Sequence, residues 1–308
     1  MQYVALYERL SRDDQLQGES NSIKNQKEYF IKHMNKSLKE YDHSIMLIAE
    51  DSTSFEGVTK PVDENGLGFD YKWDMGWMND TLDYFKTNPN DRKRDYHKLT
   101  FSMMYFGSEN FLLPFSHDEV VHGKATIVQK MNGQYEDKFP QARVLYMYMY
   151  THPGKKLNFM GNEIGQLREW DEKREQDFNI LQYPVHDSFA KYIRELCFIY
   201  NNNPALYELD YEKKGFQWID CHQEEKCIYV YERAIKNQRI IIILNLSNVR
   251  QIYELKVEGL KSMKLLLASD NEKYGGCVKY PDILNIKIED GIKEIKINAF
   301  TGLMFEVV

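Results

Sequence analysis

Short apolar runs that end in polar residues recur over the first two thirds of the chain. They cover residues 44–49, 111–115 and 156–163. Such runs predict buried parallel strands, each followed by a loop. Between them, residues 30–38 and 189–200 place apolar side chains at helical spacing, which predicts amphipathic helices.

The pattern changes at the Asn-Asn-Asn-Pro stretch of residues 201–204, which we take as a domain boundary. Beyond residue 216, about eight short apolar stretches alternate with turns. This pattern predicts an antiparallel β-sandwich over residues 204–308. Residues 29–203 alternate helix and strand and form a separate α/β domain, preceded by a distinct segment over residues 1–28.

Composition narrows the function classes. The net charge of −7 over 308 residues and the pI near 5.7 argue against a nucleic-acid or anionic-membrane surface. No apolar run is long enough to span a membrane, and no signal-peptide core is evident. The four cysteines lack C-x-x-C spacing, so we expect no metal site, and they fit reduced thiols in a cytoplasmic protein. We also expect no cofactor.

Two of the predicted strands end in carboxylates. His117, Asp118 and Glu119 follow the run 111–115, and Glu50 follows the run 44–49. In (β/α) barrels the residues just past the strands form the active site. A carboxylic acid at such a place suits protonation of a glycosidic oxygen, whereas a solvated turn, a helix cap or an ion pair is the alternative for each.

Glycines alternate with aromatic residues over residues 66–81. Trp73 and Trp77 are candidates to line a sugar groove. Core packing, with Asn79 or Asp80 capping a helix, is the alternative that the sequence leaves open.

The first 28 residues resemble the start of large serine recombinases. The similarity lies in the strings Ala-Leu-Tyr-Glu-Arg-Leu-Ser-Arg-Asp-Asp (residues 5–14) and Glu-Ser-Asn-Ser-Ile-Lys-Asn-Gln (residues 19–26). In that family Ser11 matches the DNA nucleophile and Arg9 a phosphate-binding residue. The later recombinase elements do not follow, so we expect a strand, a loop and a helix start without chemistry.

Residues from about 30 to 308 resemble the C-terminal part of 1,4-alpha-glucan (glycogen) branching enzymes of the alpha-amylase superfamily. The family fold implies the second half of an eight-stranded (β/α) TIM barrel, about four strands, followed by the sandwich. The strings that carry the resemblance are residues 48–53, 66–81, 113–124, 152–170, 216–220 and 270–276.

The resemblance implies retaining transglycosylation that forms α-1,6 branches, with glycogen or amylose as the partner. Glu50 matches the general acid/base, Asp118 the carboxylate that stabilises the transition state, and His117 the histidine beside it. Contacts to the glucan fall to four further residues: Trp73, Trp77, Lys124 and Glu163.

The chain departs from the family pattern at the nucleophile. The family's nucleophilic aspartate lies on the strand before the acid/base strand, and no matching aspartate precedes Glu50. The Asn-His motif of an earlier strand is also missing. We interpret the chain as a fusion joined near residues 27–31, inactive alone. A half barrel leaves strand edges that favour self-association.

Two alternatives from other classes remain at this point. One is a non-catalytic glucan-binding fragment, which the missing nucleophile favours. The other is a DNA recombinase, which only residues 1–28 favour and which the acidic charge opposes.

Overall fold

The computed structural model describes residues 5–10, 21–289 and 291–308, with side chains from residue 25 onward in these ranges. Its strands are β1 (Ala5–Leu10), β2 (Met46–Asp51), β3 (Tyr71–Trp73), β4 (Phe111–Phe115), β5 (Lys155–Asn158), β6 (Phe216–Gln223), β7 (Ile228–Ile235), β8 (Gln238–Asn245), β9 (Gln251–Lys256), β10 (Ser262–Ala268), β11 (Asn285–Lys287), β12 (Ile292–Ile297) and β13 (Thr301–Val307). Its α-helices are α1 (Asn21–Tyr41), α2 (Met75–Lys86), α3 (Lys98–Tyr105), α4 (Ile127–Lys130), α5 (Tyr135–Thr151) and α6 (Pro184–Asn202). None of the helices in the described ranges is long and apolar enough to cross a membrane.

Backbone contacts divide the chain into two compact units. The first unit combines residues 1–79 with 101–114, and the second combines residues 80–100 with 115–308. This division differs from the predicted boundaries at residues 28/29 and 203/204. Part of the predicted barrel region therefore packs as one body with the predicted sandwich.

Four neighbouring strands of a parallel sheet, β1 to β4, organise the first unit. β1 pairs with β2 over six residues, with Arg9 opposite Glu50 in the register. β2 pairs with β3, and β3 pairs with β4, both in parallel. Parallel neighbours need a crossover connection, which α1 provides between β1 and β2.

Helix α1 is continuous through the predicted join at residues 27–31. The sequence predicted a helix start within residues 1–28 and a separate amphipathic helix over residues 30–38. One face of the helix packs on the sheet, since Ile31 and Leu38 contact the apolar cluster around Leu47. β1 continues to Leu10. Ser11 lies outside the described residues.

The second unit contains the β-sandwich. Six antiparallel strands form one sheet in the order β11-β10-β13-β8-β7-β6, and β12 pairs with β9 in a second sheet. Side chains from both sheets, such as Ile241, Phe305, Leu255 and Ile295, share one apolar core. The prediction of about eight short strands with antiparallel pairing is confirmed for this part of the chain.

Helix α5 lies within the same unit and is bonded to the sandwich. The Arg143 guanidinium donates from Nε to the carbonyl of Ser269 at 2.6 Å. At the C-terminal end of the helix, the Thr151 hydroxyl bonds to the Tyr231 hydroxyl, and Arg233 donates to the Thr151 carbonyl at 2.9 Å. The helix begins at Tyr135, where Gln134 and Asp137 form a capping box.

Candidate active site

Glu50 is the penultimate residue of β2. Side chains alternate along a strand, and Leu47 and Ala49 pack in the cluster that faces α1. Glu50 therefore lies on the opposite face of the sheet from the helix. Its side chain is buried. The predicted strand ended before Glu50, whereas the observed strand includes Glu50 and Asp51.

The neighbouring carboxylate is engaged in an ion pair that the sequence did not indicate. Lys72 Nζ lies 2.9 Å from Asp51 Oδ2 and donates to the carbonyl of Thr53 at 3.0 Å. The backbone N–H of Thr53 donates to Asp51 Oδ1 at 2.9 Å. Asp51 thus fixes the loop that follows β2, and its own oxygens are occupied by these donors.

A second carboxylate fixes the continuation of this loop. Glu109 is buried and accepts hydrogen bonds from the backbone N–H groups of Gly57, Val58 and Thr59 at 2.7, 2.9 and 2.7 Å. The Thr59 hydroxyl donates to the same carboxylate. Because Glu109 stands just before β4, it ties the loop after β2 to the start of another strand of the sheet.

The two tryptophans of the predicted sugar groove are buried. Trp73 in β3 is 4% exposed and Trp77 in α2 is 1% exposed. The structure therefore favours the core-packing alternative over the groove for both, because a covered indole has no face to offer a sugar. The expected cap residues also differ: α2 begins at Met75, and Asp74 accepts the Trp77 N–H at 2.8 Å as its N-cap.

In the second unit, His117 and Asp118 directly follow the end of β4. Ser116 begins a short 3₁₀ turn by accepting the Asp118 N–H at 3.3 Å. His117 Nε2 then lies 3.3 Å from Asp118 Oδ1, and the side chains are 39% and 31% exposed. The predicted pair is therefore in contact and open to solvent.

Two aromatic rings beside this pair were not predicted as site residues. The rings of Phe159 and Trp170 lie 5.2 Å apart at right angles, and His117 lies 5.8 and 6.2 Å from them. Phe159 is held there by its N–H, which donates to the Phe115 carbonyl at 2.9 Å. Both rings are half-buried. The available signal was the position of Phe159 within a predicted strand that ends in polar residues, and the position of Trp170 directly after Arg168-Glu169.

The remaining predicted glucan contacts lie at separate places in the second unit. Lys124 is half-exposed, with its Nζ 3.9 Å from Glu119 Oε1. Glu163 stands on a short 3₁₀ turn after β5 and is half-buried. Burial is the main cause of the raised pKa of Tyr146, and the charge of Glu163 adds to it. The described residues contain no group of three or more His, Cys, Asp or Glu side chains that could hold a metal ion.

The loop after Asp118 is held by a carboxylate from a later segment. Glu169 accepts the N–H of Gly123 at 2.8 Å and the N–H of Ala125 at 2.7 Å. These backbone hydrogen bonds lower the pKa of Glu169. The N–H of Trp170 donates to the carbonyl of Val120 at 2.9 Å, so the segment that carries Trp170 also braces this loop.

Parts of the sequence are similar to known proteins. The family described as the alpha amylase C-terminal all-beta domain matches residues 218–308. A 1,4-alpha-glucan branching enzyme of Geobacillus stearothermophilus is 45% identical over 250 residues, and one of Halothermothrix orenii is 47% identical over the same length. The chain is homologous to 1,4-alpha-glucan branching enzymes. These matches cover 80% of the chain but 39% and 40% of the two enzymes, so the chain spans about two fifths of their length.

Solved structures extend the fold comparison beyond the branching enzymes. The alpha-amylase of Geobacillus thermoleovorans superposes with a TM-score of 0.66 at 14% identity, over 91% of the chain and 57% of that protein. The alpha-amylase of H. orenii gives 0.62 at 16% identity, over 94% of the chain and 58% of that protein. The chain therefore has an alpha-amylase-like fold in part: four parallel strands and the antiparallel sandwich.

Proposed function

We propose that this chain is a branching-enzyme homologue that binds α-1,4-glucans and does not form branches on its own. The observation that carries the proposal is the contact between His117 and Asp118 at the end of β4, beside the rings of Phe159 and Trp170. A carboxylate and an imidazole can hydrogen-bond sugar hydroxyls, while aromatic faces pack on the apolar face of a glucosyl ring.

Glu50 is assigned the general acid/base role in the first unit. Retaining transfer needs one carboxyl group to protonate the departing oxygen and a second to attack the anomeric carbon. Glu50 is the penultimate residue of β2 and lies on the face of the parallel sheet away from α1. Asp51, the neighbouring carboxyl group at this strand end, is paired with Lys72.

The missing nucleophile limits this role. Branching enzymes carry it on the strand before the acid/base strand, and in this chain the strand paired with β2 on that side is β1. The six residues of β1, Ala-Leu-Tyr-Glu-Arg-Leu, include no aspartate. We therefore expect glucan binding without formation of the covalent glycosyl intermediate, and an active branching enzyme is the second candidate function.

The test measures branching and binding on the same folded sample. Branching of amylose is followed by loss of iodine colour for the wild type, Glu50→Gln and the exposed control Glu56→Gln. Binding is followed by retardation in native gels that contain glycogen, with Asp118→Ala as the test variant. We expect no branching from the wild type, retardation by glycogen, and a binding loss of about tenfold or more in Asp118→Ala, since hydrogen bonds to charged groups are worth ~1.5–3 kcal/mol each.

Each outcome separates the candidates. Branching that disappears in Glu50→Gln and persists in Glu56→Gln means that another carboxylate supplies the nucleophile, and the chain is then an active branching enzyme. A folded chain that glycogen does not retard would overturn the whole proposal. The recombinase resemblance, self-association through open edges, and a cytoplasmic location stay predictions.

A further inference from the structure

Lys130 ends helix α4 and is 7% exposed. Its ammonium group donates to the backbone carbonyls of Glu119, Lys124 and Ala125, the Lys124 bond being 2.7 Å long. A lysine ammonium has three N–H bonds. All three N–H bonds of Lys130 therefore donate to backbone carbonyl oxygens of a single loop.

The three carbonyls belong to both ends of that loop. Glu119 lies in the 3₁₀ turn that contains His117 and Asp118, whereas Lys124 and Ala125 lie at the far end. Lys130 thus ties the start of the loop to its finish. These hydrogen bonds therefore constrain the 3₁₀ turn that contains His117 and Asp118.

Two residues of this loop have a backbone conformation that is unfavourable without stabilising contacts. His122 and Ala125 have φ values of 55° and 65°, in the left-handed region that side chains with a Cβ disfavour. Glu169 holds the same loop from outside through the N–H groups of Gly123 and Ala125. Residues 119–125 are therefore clamped between a cation that binds carbonyls and an anion that binds N–H groups.

We propose that Lys130 is a positioning residue, which sets the shape of residues 119–125 and thereby the orientation of His117 and Asp118 toward bound glucan. The inference rests on the proposed function, because it assumes that these two side chains contact glucan. Lys130 itself is buried beneath the loop and does not touch the sugar.

The donor count makes this role sensitive to protonation. A neutral amine has two N–H bonds and cannot serve three carbonyls, so loss of the proton releases one of them. Burial lowers the pKa of Lys130 to about 8, the carboxylates of Glu119 and Glu169 oppose this shift, and the ammonium groups of Lys86 and Lys124 reinforce it. The clamp is therefore complete below about pH 8 and incomplete above it.

The experiment compares glucan affinity across pH in the full chain. The dissociation constant for maltoheptaose is measured from pH 6 to 10 for the wild type, Lys130→Met, Lys130→Arg and Lys138→Met. Lys138 is the matched control, since it also donates to two backbone carbonyls, those of Gln129 and Met131, away from residues 119–125.

We expect wild-type affinity to fall as pH rises through about 8. Lys130→Met lowers affinity at pH 7 by about tenfold, because small displacements of contact groups have effects of that size. Lys130→Arg stays protonated over this range and loses the step near pH 8. Lys138→Met keeps both the affinity and the step.

Three results overturn the inference. They are an unchanged affinity in folded Lys130→Met, a wild-type profile with no step, and a step that persists in Lys130→Arg. The last result decides the matter if Lys130→Met does not fold. A wild-type chain that does not bind maltoheptaose at any pH refutes the proposed function together with this inference, whereas wild-type binding with unaffected Lys130 variants refutes the inference alone.

Discussion

Replacing Asp210 by asparagine removes one member of a fully buried ion pair. Asp210 Oδ1 lies 2.8 Å from Arg233 Nη2, and both side chains are 0% exposed. Lys155 Nζ lies 3.0 Å from the other carboxylate oxygen. Arg233 also donates to the carbonyls of Gly215 and Thr151. In the variant these donors remain, but the buried guanidinium has lost the carboxylate charge that compensates it.

The expected cost follows from that burial. Breaking a buried pair by removing one partner typically costs ~3–5 kcal/mol, because an uncompensated charge stays in a low-dielectric site. The asparagine amide retains one oxygen acceptor, so we expect the lower half of this range, about 3–4 kcal/mol. At about 2–4 °C per kcal/mol for a unit of this size, the midpoint of thermal unfolding should fall by roughly 6–16 °C.

Urea unfolding followed by tryptophan fluorescence measures this loss. The matched control is Glu232→Gln, which breaks the pair with Arg239 in the same sandwich. The Arg239 side chain is 40% exposed, so water screens this pair and we expect a loss of at most about 1 kcal/mol. Equal losses in Asp210→Asn and Glu232→Gln would show that burial does not set the cost, and the reasoning would be wrong.

Two further predictions concern acid sensitivity and the loop after β2. Burial lowers the pKa of His152 to about 3 in the folded chain, against about 6.5 in the unfolded chain. Between pH 6.5 and 3 the unfolded chain therefore binds a proton that the folded chain does not. The free energy of unfolding should fall by up to about 1.4 kcal/mol per pH unit on acidification through this range. Urea titrations from pH 7 to 4 should show a shallower fall in His152→Gln, and identical slopes would contradict the assignment. Glu109→Gln replaces one of the two carboxylate oxygens that accept from residues 57–59 by an amide N–H₂ and should cost about 2–4 kcal/mol. The exposed control Glu64→Gln should show no measurable change, and equal unfolding midpoints for the two variants would refute the prediction.

The sandwich was predictable because its signal is local. Alternation and turn residues recur through the last hundred positions, and each predicted strand overlaps an observed one. The strand of residues 111–115 was predicted at its observed bounds, since its five apolar side chains are all buried. A short strand buried on both faces has a pattern that depends on no distant partner.

The candidate site was predictable only in part. The contact between His117 and Asp118 follows from their being neighbours in a turn, but the rings of Phe159 and Trp170 reach them from elsewhere in the chain. The ion pair of Asp51 with Lys72 joins two strands, and its partner cannot be read from either strand alone. Glycine–aromatic patterns around Trp77 fit a groove and a core equally well in sequence.

The hydrogen bonds between helix α5 and the sandwich limit which part of the chain can be exchanged between related proteins as a unit. A β-sandwich that closes on its own core can be exchanged between proteins as an independent module. Here the guanidinium of Arg143 and the hydroxyl of Thr151 bond to residues of the sandwich. A sandwich taken from another protein would need matching hydrogen-bond partners for these two groups. The unit that can be exchanged intact therefore includes helix α5 and begins well upstream of residue 204.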